Sequence, residues 1–324
     1  HRRAAGGARV TLGGTTPATT LNLGAISRDA GSRATLNLTL TSPAVAVTTS
    51  GNDATGLLGP WAIIGSANFA SVGVGGTIVA YTGYTAVAGA TGAGSATQNA
   101  LFNTGTSIGA ATTDYNTVKL GSLVAIPFGS ATNILRLGAT GAILVPTGAA
   151  ASSFGASAGS GVLTAGGAAN TAGELNLINW SSNALTINSA INNNGSGVVT
   201  VVKSGSGQVT FATQNNFSGG LIINQGIVSV SAANQVPGAV TLNGGTLSTA
   251  TNSFSLSSMA LSLGAGGGTI NITTALAGNG TFGTAATIGT PGFGARAMTV
   301  TGGTDNRFIL LPSNFVDGTG GPTS

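Results

Sequence analysis

Two stretches have the spacing of a nucleophile elbow, Gly105-Thr106-Ser107-Ile108-Gly109 and Gly155-Ala156-Ser157-Ala158-Gly159. A serine at such a turn attacks only when a histidine, itself oriented by an acid, takes its proton. The chain holds a single histidine, His1, and no cysteine. In a sequence this rich in Gly and Ser, both matches read as chance. Carboxylates are the next candidates, because a lyase or hydrolase needs two or three of them in one cleft. The whole set is Asp29, Asp53, Asp114, Glu174, Asp305 and Asp317. Asp29 and Asp53 are close enough in sequence to stack within about one repeat, beside Arg28 or Arg33. The competing reading makes Arg28 and Asp29 a solvated turn pair worth ~0–1 kcal/mol. Six acids are also too few for a calcium cage, which needs an Asp in every repeat.

Gly278, Gly280 and Gly283 have dinucleotide-fingerprint spacing, yet no helix is readable after them to receive a phosphate. They read as a turn between strands. Trp61, Phe69, Tyr81 and Tyr84 supply either a sugar-stacking surface or the filling of a joint. The apolar company of Trp61 (Leu57, Leu58, Ile63, Ile64) favours the joint. Six Asn-x-Ser/Thr sequons, at Asn37, Asn179, Asn194, Asn216, Asn271 and Asn279, follow from the abundance of Asn, Ser and Thr. No catalytic residue, no cofactor and no metal ligand is expected.

The elements that must carry these residues follow from composition. Gly makes up 55 of 324 residues, about 17 % against a usual ~7 %. Charged residues are only 5 %, with two lysines and one glutamate, so exposed helix faces cannot be built. Hydrophobic residues reach 42 %, but every apolar run stops at Pro or Gly far short of the ~20 residues of a membrane helix. The net charge of +4 is already present in residues 1–33, as Arg2, Arg3, Arg9, Arg28 and Arg33 against Asp29. It is an end effect. A nucleic-acid binder would spread a basic stripe interleaved with aromatics, so no nucleic-acid partner is expected. The start at His1, with neither Met nor an apolar leader, marks a processed product or an excerpt.

Short β-branched runs recur between Gly/Asn punctuation: VVTVV (198–202), LIINQGIVSV (221–230), AVTLNGGTLS (239–248) and LSLGAGGGTINI (261–272). Their apolar and small polar residues alternate, so one face can point into a narrow core. Asn224 to Asn243 is an interval of 19, and the ~20-residue recurrence of strands without helix is the mark of a β-solenoid rung. Asn224, Gly226, Asn243, Gly244 and Gly245 are the expected turn and ladder residues, with each Asn bonding its equivalent one rung on. Ordinary hairpins in a sandwich are the competing reading. Residues 86–113 and 137–173 are Gly/Ala/Ser/Thr-rich and read either as linkers or as rungs of small side chains.

Residues 198–250 resemble the bacterial autotransporter-associated β-strand repeat. Lys203, Gly205, Gly207, Asn215, Phe217, Gly219, Gly220, Gly226, Gly244 and Gly245 stand at its pattern positions, with Asn216 where Thr is frequent and Phe217 for the usual Tyr. Residues 55–85 look more loosely like the Trp-containing connector between such repeats, with Pro60 interrupting that pattern. The resemblance implies a parallel β-helix exported to the bacterial cell surface, not an activity.

The expectation is thus an all-β parallel β-helix with ~20-residue rungs over 1–324. Its sub-regions are 1–135 with the Trp-containing connector, 136–197 with Gly/Ala/Asn-rich rungs, and 198–324 with recognisable repeats. Roughly 16 rungs would span about 75 Å. The expected role is an extracellular or surface rod, stacking head to tail on copies of itself or on flanking repeats, with surface glycans as further partners. Uncapped ends are expected at 8–12 and 307–311. A polysaccharide-active enzyme using Asp29 and Asp53, or a carbohydrate-binding module using Trp61, is the alternative.

Overall fold

The computed structural model describes residues 6–13, 19–28, 31–121, 125–249, 260–264 and 266–272, and beyond them the backbone of five short strands. The chain is all-β. Among the described residues the only helical turns are 3-10 turns at Val74–Gly76 and Ala233–Gln235, and no helix is long and apolar enough to cross a membrane.

The first strands are Gly7–Leu12 (β1), Thr20–Asn22 (β2), Thr35–Leu40 (β3), Val45–Val47 (β4), Ala62–Ile64 (β5), Asn68–Val72 (β6) and Ile78–Ala80 (β7). There follow Thr85–Val87 (β8), Gly94–Phe102 (β9), Thr112–Leu120 (β10), Ala125–Ile126 (β11), Ile134–Val145 (β12), Ser152–Phe154 (β13), Val162–Ala165 (β14) and Gly173–Asn179 (β15). Next come Leu185–Ile187 (β16), Ala190–Ile191 (β17), Val199–Ser204 (β18), Gln208–Phe211 (β19), Leu221–Ile223 (β20), Ile227–Val230 (β21), Val240–Leu242 (β22) and Thr246–Thr249 (β23). The last are Leu261–Leu263 (β24), Gly268–Ile272 (β25), Gly280–Thr281 (β26), Ala286–Ile288 (β27), Met298–Gly302 (β28), Phe308–Ile309 (β29) and Phe315–Val316 (β30).

From β8 onward every pairing between these strands is parallel. One long ladder runs β8-β9-β10-β12-β15-β18-β20-β22-β24-β27-β30, and a second runs β11-β13-β16-β19-β21-β23-β25-β28. The chain alternates between them: β18, β20, β22 and β24 lie in the first, and β19, β21, β23 and β25 in the second. A register shift between Tyr115 and Thr117 leaves Asn116 unpaired and divides β10. β12 is divided likewise. Its first half pairs with β14, which pairs with β17, and its second half pairs with β15.

Register explains the core. Leu175, Val201, Leu221, Val240 and Leu261 pair in succession along the first ladder. Val209, Val228, Leu247 and Ile270 do so along the second. All of these belong to one apolar cluster running from Ala100 to Ile270. Alternation along each short strand is what sends these residues inward and their neighbours outward.

Spacing is less regular than a uniform ~20-residue rung. Val201, Leu221, Val240 and Leu261 follow at intervals of 20, 19 and 21. Upstream, Val118 to Ile143 is 25 and Ile143 to Leu177 is 34, because the first half of β12 and then β14 add strand residues between successive ladder positions. Among the described residues the first ladder has 11 strands along its path. The low-complexity residues 86–113 and 137–173 hold β9, β13, β14 and most of β12, so both segments carry sheet strands.

Strands β1–β7 form sheets of their own, β1-β3-β5-β6-β7 and the pair β2-β4. Here the strands are not all parallel as expected: β5–β6 and β6–β7 are antiparallel. The cause is local. Gly65 and Ser66 both have positive φ (63° and 56°), and the Ala67 amide donates to the Ile64 carbonyl at 3.2 Å. Two successive left-handed residues make the tight turn whose twist suits a hairpin, whereas parallel neighbours need a crossover of a dozen residues or more.

Candidate functional site

Chemistry-bearing side chains gather in two places, the corners between the long ladders and the joint with the N-terminal sheet. At the corners, Asn224 and Asn243 follow β20 and β22. The Asn243 side-chain amide donates to the Asn224 Oδ1 at 3.1 Å, and Asn243 Oδ1 accepts from the Gly266 amide at 3.0 Å. Both side chains are buried. Asn224 Nδ2 donates in turn to the Arg33 carbonyl at 2.8 Å, tying the corner to the N-terminal segment.

Lys203 is the feature that reading of turns and aromatics overlooks. It continues the inward phase of Val199 and Val201, and its side chain is fully buried. Its ammonium donates to the carbonyls of Ser204 (2.8 Å), Gly205 (2.6 Å) and Gln225 (3.0 Å), spanning two successive corners. All three donors are satisfied, as a buried amine requires. Burial pushes its pKa down from 10.5 to about 7. Gly226 must be glycine here: its φ is +73°, and a Cβ would stand 2.3 Å from the Gly205 carbonyl oxygen and 2.6 Å from Lys203 Nζ. The signal was in the sequence. Period-two alternation through VVTVVK places the lysine on the apolar phase.

At the joint, Glu174 lies on the face of β15 opposite Leu175 and Leu177 and is 1 % exposed. It receives Arg28 Nη2 at 2.6 Å and Arg33 Nη1 at 2.8 Å. Arg28 thus has a partner 146 residues away, while the expected Arg28–Asp29 turn pair rests on Asp29, which lies outside the described residues. The Thr35 hydroxyl donates to Ser204 Oγ at 3.0 Å. Beside these contacts Leu57, Ile63 and Phe69 pack on Ala142, Leu144 and Ile178, with Tyr81, Tyr84 and Trp180 at the margin. Strands β12, β15 and β18 are therefore covered on both faces, as in most parallel sheets.

Phe69, Tyr81 and Tyr84 belong to this joint, whereas Trp61 packs on the N-terminal sheet's own cluster with Leu58, Ala62 and Ala70. Phe69 is fully buried, its amide donates to the Tyr84 hydroxyl at 3.1 Å, and the Tyr81 and Tyr84 rings meet edge to face at 4.9 Å. Burial raises the Tyr84 pKa above its usual value, so the phenol keeps its proton. Lys119 Nζ sits 5.2 Å over the Tyr84 ring, and the Arg28 guanidinium 6.0 Å over Trp61. Cations placed so are attracted by the ring faces. The joint remains imperfectly matched: Arg28 Nε, Asn176 Oδ1 and Trp180 Nε1 are buried without a hydrogen-bond partner.

The remaining candidates are dispersed. Asp53 Oδ1 accepts from the Thr55 amide, the Thr55 hydroxyl and the Leu57 amide, closing its own loop, and Asp29 lies outside the described residues. Asp114 pairs with Arg136 through two bonds of 2.7 and 2.9 Å. Asp305, Asp317, Gly278 and Gly283 also lie outside the described residues, while Gly280 opens the strand β26, not a helix. Ser107 bridges to Ala90, and Ser157 Oγ faces Ser160 Oγ at 3.1 Å. Among the described residues no group of three His, Cys, Asp or Glu side chains could hold a metal ion. Of the sequon asparagines, Asn37, Asn179 and Asn194 are buried, Asn216 is exposed, and Asn279 lies outside the described residues.

Comparison with protein-family models gives no match, and no curated protein or solved structure matches the chain significantly.

Proposed function

We propose that this chain is a structural rod, a parallel β-solenoid of the autotransporter-associated repeat type, working by length and stiffness at a bacterial cell surface. The observation that carries the reading is the alternation of the chain between two parallel ladders, with Asn corners and a buried lysine bonding across successive rungs. Each rung then touches only its neighbours, and stability is shared along the stack. The acids support this over polysaccharide cleavage: Asp53, Asp114 and Glu174 are each engaged, in separate places.

Small-angle scattering from the purified chain tests the shape. An elongated particle is expected, because 11 ladder strands at ~4.8 Å each extend about 50 Å along the ladder. Antibody against residues 85–249 should label intact source cells. A near-spherical particle, or labelling confined to permeabilised cells, contradicts the proposal.

A further inference from the structure

We infer that the open edge of the long ladder at Thr85–Ala93 is a docking edge for a second copy of this chain, added as a parallel strand beside β8. This rests on the rod reading and names its partner. In the ladder, the Val87 carbonyl accepts from the Asn103 amide, so Val87 faces β9. Successive residues of a strand turn their N–H and C=O groups to opposite sides, which leaves those of Ala86 aimed away from β9. The bridge between Ala90 and Ser107 has the same sense: Gly89 and Thr91 make its hydrogen bonds, leaving Ala90 outward. Thr85, Ala86, Ala88, Gly89 and Ala90 are all exposed.

Edge strands are ordinarily defended by Lys, Pro, a bulge or a covering loop. The segment TAVAGATGA has no charge and no Pro. The N-terminal sheet does not serve, since it packs on the face of β12, β15 and β18 instead. The expected uncapped end at residues 8–12 is accordingly displaced: β1 edges the flanking sheet, and the ladder's own first edge is β8. The partner follows from polarity. In a wholly parallel ladder the edge beyond β30 presents the hydrogen-bonding complement of the edge beyond β8, so a copy translated along the ladder meets it in parallel register. Such a head-to-tail contact does not close on itself and yields open filaments.

Ala86→Pro tests this. Pro removes only the outward donor and is tolerated on an edge strand whose N–H faces solvent. Sedimentation velocity should show concentration-dependent association of the wild-type chain, weakened about tenfold in Ala86→Pro, in line with the loss of one interchain hydrogen bond. Ala90→Lys, which sets a charge on the same edge without touching a ladder bond, should weaken it similarly if Ala86→Pro fails to fold. A wild-type chain that stays monomeric to about 100 µM, or variants that associate as tightly as wild type, overturns the inference. Scattering at low concentration separates the readings. An elongated chain that never associates removes the docking edge and leaves the rod, whereas a spherical one removes both.

Discussion

Lys203 shows how one side chain can hold a rung in place. Three carbonyls from two corners converge on its ammonium, and among the described residues no carboxylate pairs with it. Replacing it with Met keeps the apolar stem but takes the donor from the buried Ser204 and Gly205 carbonyls, each at a cost of ~1–3 kcal/mol, and from the half-buried Gln225 carbonyl. The pH dependence has a definite sign. Between about 7, the folded pKa, and 10.5, the ordinary one, the unfolded chain holds a proton that the folded chain has lost. Stability contributed by this residue therefore rises with pH across that window. Thermal melts should show the wild type gaining on Lys203→Met from pH 7 to pH 10; parallel curves would mean that the amine keeps its proton when folded. The lysine's inward position was legible from alternation alone. Its three partners were not, because Gln225 reaches it only when the next corner stacks beside its own.

Among the elements, the strands of residues 198–263 were readable because alternation and Asn/Gly corners coincide there. Their register along the ladder followed from the near-constant interval. The N-terminal sheet was not readable in this way. Gly65-Ser66 looks like any other polar turn, and the partner of Arg28 and Arg33 is a glutamate more than 140 residues distant. That ion cluster gives the docked sheet a specific weakness. Removing one partner from a buried pair costs ~3–5 kcal/mol, and Arg33, a third exposed, places this case at the lower end. Glu174→Gln should accelerate amide exchange in β1, β3 and β5, because the joint already contains unpartnered Arg28 Nε, Asn176 Oδ1 and Trp180 Nε1. Exchange in β18–β23 should stay slow, since those strands are held by their own neighbours. Equal acceleration in both regions would show that the two unfold as one unit.

At the scale of the whole molecule, the proposed rod requires that the ladder strands behave as interchangeable rungs. Composition had already excluded helical surfaces, and the all-β class followed; the count of ladder strands did not, because the first half of β12 and β14 lengthen the intervals between Val118, Ile143 and Leu177. The most direct measurement is excision of one repeat, residues 221–239. The cut joins Gly220 to Val240, which occupies the same ladder column as Leu221, and brings Asn243 to the place of Asn224. If rungs are interchangeable, the shortened chain keeps the circular dichroism of the parent and melts cooperatively a few degrees lower. Its N-terminal sheet also remains docked. A chain that loses its β signal or its cooperative melt on this excision would contradict the account, since a core built from non-equivalent strands cannot close over a missing layer.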